Sequence, residues 1–189
     1  DQVFDVARGN PLATHLAGKI LAAEGADAFR RDADLARLIG QTLPDAVARP
    51  RSTAEVVAIV RYAAEHGIAV TPRGGATTAL WNAVPMRGGL TLDLTAMAGL
   101  VAIHSHRLTA TVLPGTRWGD LDRALQRRGF TLLSYPTSAP AATVGGWLCM
   151  EGHGIGSLKY GPVSGQVCAL EAVLPDGRTI RAPSFGRDA

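Results

Sequence analysis

The sequence is short of the residues that mark several common protein classes. It has two cysteines, Cys149 and Cys168, outside any C-x-x-C spacing. That argues against a disulfide framework or a zinc site, and reads as two reduced core thiols in a reducing compartment, the cytoplasm. Aromatic residues are only 5% of the chain. No apolar run approaches the roughly 20 residues of a membrane helix, and no signal-peptide pattern opens the chain. The formal charge is a mild +3. Arginine pairs such as Arg30-Arg31 and Arg127-Arg128 are too scattered to make the basic stripe of a nucleic-acid binder. GxxxxGK[ST], GxSxG and HExxH are all missing, and "GHGIGS" (152–157) does not keep GxGxxG spacing. His104 and His106 would share one face of a strand running through both. No third metal ligand stands near them in sequence, so they read as polar residues at a strand end.

Glycine is what the chain has in plenty, 22 residues without a repeat period, which signals many tight turns. A length of 189 residues suits one domain, or one and part of another. Residues 12–24 carry Leu12, Leu16, Ile20 and Ala23 on one helical face, and 26–40 form a short helix or irregular packing. Ser52-Thr53-Ala54-Glu55 is a capping box. Val56, Ile59, Val60 and Ala63 follow at helical spacing, and Gly67 stands where the helix should end. "IAVT" (68–71), "LTLDL" (90–94) and "LTATVLPG" (108–115) read as strands. "TRWGDLDRALQRRG" reads as an amphipathic helix with Trp118, Leu121 and Leu125 on its apolar face and Gly129 at its end. "VCALEAVLPDGRTIRA" is a hairpin turning at Pro175-Asp176-Gly177. The fold class is α+β.

Two glycine-rich regions carry the chemistry. In "TPRGGATT" (71–78), Gly74 and Gly75 leave backbone N–H groups uncovered, Thr77 and Thr78 add hydroxyls and Arg73 adds charge. Such a set suits an anion; a plain tight turn after a strand is the alternative. The second region, residues 134–166, holds Gly145, Gly146, Gly152, Gly154, Gly156, Gly161 and Gly165. So much glycine is costly unless backbone lines something. Together the two regions suggest one extended ligand, phosphate at one and a planar group at the other.

The segments "ARPRSTAEVVAIVRYAAEHGIAVTPRGGATT", "NAVPMRGGLTLDLTAM", "ATVLPGTRWGDLDRAL", "PTSAPAATVGGW", "KYG" and "LEAVLPDGRTI" resemble, in order and spacing, the FAD-binding domain of the family containing vanillyl-alcohol oxidase and p-cresol methylhydroxylase. The nearest branch is that of D-2-hydroxy-acid dehydrogenase, glycolate oxidase and alkyl-dihydroxyacetone-phosphate synthase. The resemblance implies two small α/β subdomains with FAD between them. It divides the chain into a helical lead-in (1–43) and an incomplete FAD-binding domain (44–189) that in the family continues further. It also implies site residues. Pro72, Arg73, Gly74, Gly75, Ala76, Thr77 and Thr78 match the segment around the FAD pyrophosphate. Pro136, Thr137 and Ser138, with Thr143, Val144, Gly145 and Gly146, match the lining of the ribityl and isoalloxazine parts. Tyr160 and Gly161 match a "YG" supporting the second loop, with core packing the alternative for Tyr160. Gly165 and Val167 fall on the adenine side, and Trp147 reads as a packed wall.

Two departures stand out. Ala76 replaces the family's common third glycine, so the first loop should differ locally. "WLCMEGHGIGS" replaces an Asn- and Gly-rich run. The function the resemblance implies is flavin-dependent oxidation of a small 2-hydroxy acid such as D-lactate or glycolate. The FAD is held non-covalently, since the first loop has no His or Cys, and no catalytic residue can be named in this segment. An alkyl-transfer enzyme of ether-lipid type, or a flavin electron-relay subunit, is the alternative. Expected partners are the substrate and either an electron-acceptor protein or the rest of the same polypeptide, with no nucleic acid.

Overall fold

The structure is a computed structural model; it describes residues 4–5, 43–78 and 81–183. The helices read from residues 12–40 lie outside these. Strands β1 (Phe4–Asp5), β2 (Ala46–Ala48), β3 (Val70–Arg73) and β4 (Leu90–Asp93) form one sheet in the order β1-β2-β4-β3. β2 and β3 both run parallel to β4, which is therefore central, and β1 is antiparallel to β2. All four residues of β4 are buried, as a strand flanked on both sides should be.

Helix α1 (Thr53–Glu65) packs Val56, Ile59 and Ala63 inward. Its N-terminus is closed by the residues of the capping box, with one change of partner. The Ser52 hydroxyl accepts from the Glu55 N–H at 3.2 Å, while the Glu55 carboxylate reaches Arg51 N–H (2.9 Å) and not that of Ser52. Gly67, just past the end, takes a left-handed φ of 64°. The strand read from Ile68 starts two residues later, because Ile68 and Ala69 are exposed and Ile68 N–H is spent on the Ala63 carbonyl. A first core gathers Ala48, Val56, Ile59, Leu90, Leu92 and Met97.

A second core is built around helix α2 (Trp118–Gln126), whose Trp118, Leu121 and Leu125 are buried together with Ala142, Val144 and Val163. The antiparallel pair β5 (Leu100–His104) and β6 (Thr109–Val112) packs on it through Leu100, Ile103 and Val112. Two short helices, α3 (Val144–Leu148) and α4 (Ser157–Tyr160), interrupt the second glycine-rich region. Trp147 packs edge-on against Trp118, ring centroids 5.0 Å apart.

The hairpin of β7 (Ala169–Val173) and β8 (Thr179–Pro183) turns at the expected residues, with Gly177 at φ 77°. It docks on α1: Val173 joins the first core, and Thr53 Oγ1 donates to the Glu171 carboxylate at 3.0 Å.

Two expectations need correction. Cys149 and Cys168 are free but exposed, not core residues; one follows α3 and the other precedes β7, where the chain runs along the surface. His104 ends β5 while His106 lies in the turn that follows, so no strand face carries both. Among the described residues no His/Cys/Asp/Glu group is placed to hold a metal ion, and no helix is long and apolar enough to cross a membrane.

Candidate functional site

The first glycine-rich loop leaves the C-terminal end of β3, next to central β4. The second region crosses in front of it. They touch at Gly74, which lies against the Thr143 side chain, and at Gly75, which lies against the Ala141 carbonyl; a Cβ on either would overlap its neighbour. These glycines therefore serve a close approach of chain to chain, where the sequence had suggested an approach of chain to ligand.

The two regions differ in what they leave free. In the second, the N–H groups of Val144 and Gly145 donate to the carbonyls of Thr116 and Pro114, both at 2.8 Å. Gly146 N–H is capped by the Thr143 hydroxyl at 3.3 Å. The start of α3 is thus saturated by protein. So is the start of α2, where Trp118 and Gly119 N–H groups donate to Ala142 and Ala139 carbonyls. By contrast, the N–H groups of Gly75, Ala76, Thr77, Thr137 and Ser138 have no partner among the described residues.

Ala76 has φ 50°. It takes, despite its Cβ, the left-handed geometry that glycine favours. A left-handed residue within a turn is one of the conformations from which concave, anion-holding sets of N–H groups are built.

Gly75, Thr77, Thr137 and Ser138 border an open cleft of about 2630 Å³. Every expected site residue except Ala76 lines it: Pro72 to Gly75, Thr77 and Thr78 from the first loop; Pro136 to Ser138 and Thr143 to Gly146; and Tyr160, Gly161, Gly165 and Val167. Tyr160 is exposed on this wall with Lys159 Nζ 5.0 Å from its ring centroid, so core packing does not describe it. The lining bears Arg73, Arg107, Lys159 and Arg181 against one carboxylate, Glu171. Glu171 is engaged already: hydrogen bonds from Arg181 (2.9 Å) and then Thr53 hold its carboxyl below the usual range. Among the described residues Arg73 has no carboxylate partner. Free N–H groups, hydroxyls and surplus positive charge around a long open cleft fit a dinucleotide carrying a pyrophosphate.

Among the wall residues that sequence reasoning missed is Gln166, whose signal was its place between Gly165 and Val167. His153 and Cys149, weighed from the sequence as side chains able to attach a flavin, lie on the same wall.

The profile of the FAD binding domain family matches residues 44–183. The chain belongs to that family. Its relatives include FAD-linked oxidoreductases and the alkyldihydroxyacetonephosphate synthase of Trypanosoma brucei brucei, 32% identical over 76% of this chain and 24% of that protein. Glycolate oxidase subunit GlcD of Bacillus subtilis is 37% identical over 141 residues, 75% of this chain and 30% of that protein. The mitochondrial D-lactate dehydrogenase [cytochrome] of Arabidopsis thaliana is 31% identical over 77% of this chain and 25% of its own length. The chain thus spans less than a third of these curated relatives. Among solved structures, xylooligosaccharide oxidase from Myceliophthora thermophila superposes with a TM-score of 0.68 at 27% identity, over 76% of this chain and 30% of that one.

Proposed function

We propose that this chain is the cofactor-holding portion of a flavin-dependent oxidoreductase that oxidises a small 2-hydroxy acid such as glycolate or D-lactate. The observation that carries the reading is the set of unpartnered N–H groups at Gly75, Ala76, Thr77, Thr137 and Ser138 beside an electropositive cleft. Gly75 to Thr77, with Arg73, would hold the pyrophosphate. Thr137 and Ser138 would hydrogen-bond the sugar-alcohol chain or ring. Val144, Gly145 and Gly146, their N–H groups already used, would contribute with Thr143 to the shape of the wall. Tyr160, Gly161, Gly165 and Val167 would complete the wall. Bound FAD would supply the hydride acceptor. The chain's own residues bind it, orient it and neutralise its charge, and none of them is assigned to substrate chemistry.

The relatives named for glycolate and D-lactate support the substrate class, and the acid's carboxylate suits the basic lining. The test has two readings. Purified protein is examined for flavin absorbance, then mixed anaerobically with glycolate or D-lactate in the complete polypeptide. Bleaching of the flavin band by either acid is expected. Flavin held but bleached by neither would remove the 2-hydroxy acid and turn the reading to alkyl transfer or electron relay. Absence of flavin affinity would remove the cofactor role itself.

A further inference from the structure

Ser134 is fully buried between α2 and the turn at Pro136. Its N–H cannot reach water and finds the Gln166 side-chain Oε1 at 3.3 Å. An N–H can only donate, so the amide oxygen of Gln166 must be the end that faces Ser134. This fixes the other end. The oxygen side is wired further: Ser134 and Ser157 hydroxyls lie 3.1 Å apart, and Ser157 Oγ accepts from Gly154 N–H at 2.8 Å. The nitrogen side is not. Gln166 Nε2 is buried and has no partner among the described residues, and Gln166 belongs to the cleft wall between Gly165 and Val167. A buried donor left unmade is unfavourable, and one whose orientation is imposed from behind cannot turn away to relieve itself.

We propose that Gln166 is a ligand-binding residue of this cleft, its Nε2–H group donating to an uncharged acceptor, a carbonyl oxygen or ring nitrogen, of the bound flavin nucleotide. The inference rests on the flavin reading. A neutral amide complements a heterocycle's acceptors, whereas the phosphates have Arg73 and the free N–H groups. Both ends of FAD carry such acceptors, and separate probes tell them apart.

The full chain is titrated with FAD, ADP and riboflavin, as wild type, Gln166→Met and Gln166→Glu, and the unliganded stability of each is measured in urea. Gln166→Met removes the unmade donor at similar volume but also the acceptor of the buried Ser134 N–H. Its unliganded stability should fall, and FAD should weaken about ten-fold or more, with the loss confined to one of the two half-probes. The same loss should appear with ADP if the acceptor is on the adenine half, or with riboflavin if it is on the flavin ring. Gln166→Glu keeps the acceptor for Ser134 and replaces the donor with a charged oxygen; it should weaken FAD likewise, with a loss that added salt does not abolish if the missing donor and not the new charge is responsible, and it serves if the Met variant does not fold. FAD affinity within about two-fold of wild type in either folded variant overturns the inference. So does a loss shared equally by ADP and riboflavin that follows a fall in unliganded stability, which marks a purely structural residue. A wild-type chain that binds none of the three probes brings down the flavin reading and this inference with it; wild-type binding with unaffected variants brings down the inference alone.

Discussion

The Ala141 carbonyl occupies the place where Gly75 would carry a side chain. One position earlier, Gly74 meets the Thr143 hydroxyl in the same way. The two contacts fasten the anion-facing loop to the wall opposite, and they differ in how they can yield. Thr143 can rotate, at the expense of the cap it gives Gly146 N–H; a carbonyl cannot. Gly75→Ala should therefore destabilise by about 1–3 kcal/mol, the range for overpacking. Gly74→Ala should cost about 1 kcal/mol, the worth of a cap. Both should lower flavin content. Urea unfolding and flavin absorbance check this, and a Gly75→Ala protein that matches wild type in both would show that the loops are not joined there.

Ala76 offers the opposite experiment. Its φ of 50° costs a non-glycine residue about 1–2 kcal/mol. Glycine would remove that cost but add chain entropy to the unfolded state, worth about 0.4–1 kcal/mol. Ala76→Gly should raise stability by about 0.5–1 kcal/mol with FAD affinity unchanged or improved. Denaturant melts of the two proteins decide it; a loss of stability would mean that the methyl group makes a packing contribution larger than its backbone strain.

Much of the fold was legible because local and tertiary preferences agree. Ser52 and Glu55 announce α1, and Val56, Ile59 and Ala63 are buried at helical spacing. Trp118, Leu121 and Leu125 do the same for α2. The missed elements are those where local signals are weak. β2 is three residues long and is completed only by its pairing with β4. β5 has a register irregularity between Leu100 and Ala102, and its exposed Val101 breaks any alternation. α3 contains two glycines, which disfavour a helix, yet Thr143 caps it and Val144 anchors it in the second core. The site was legible as two glycine-rich stretches in the right order. Which of their N–H groups remain free was not, because the partners, Thr116 and Pro114, are distant in the pattern that was being read.

The network at Glu171 gives a pH dependence with a definite sign. Hydrogen bonds from Arg181 and Thr53 hold its carboxyl below the ordinary 4.5. A carboxylate depressed in the folded state contributes stability that is present above 4.5 and is lost as pH falls through its lower folded value. Glu171→Gln should be less stable than wild type at neutral pH, and the difference should shrink on acidification below 4.5. Because the group is largely open to solvent, added salt should narrow the difference as well. Thermal melts at a series of pH values provide the comparison. A difference that grew on acidification would refute the assignment.

The last prediction concerns how FAD is attached. The stretch Gly74 to Thr78 has neither His nor Cys. His66 caps the C-terminus of α1, its Nδ1 2.8 Å from the Tyr62 carbonyl and its ring stacked on Tyr62. From there β3 leads away to the loop, about 13 Å over four residues. Four other His and Cys side chains lie on the cleft wall: His104, His153, Cys149 and Cys168. His104 Nε2 lies 3.5 Å from the Thr111 hydroxyl, out on the β5–β6 pair. His153 has Nδ1 turned back to the Glu151 carbonyl at 2.9 Å, which leaves Nε2 as its one free nitrogen. The proposed mode is non-covalent, through N–H groups and hydroxyls. Acid precipitation of the flavin-loaded protein should release yellow FAD to the supernatant. Fluorescence that stays with the denatured chain on a gel would exclude this mode, and loss of that fluorescence in His153→Gln or Cys149→Ser would identify the point of attachment.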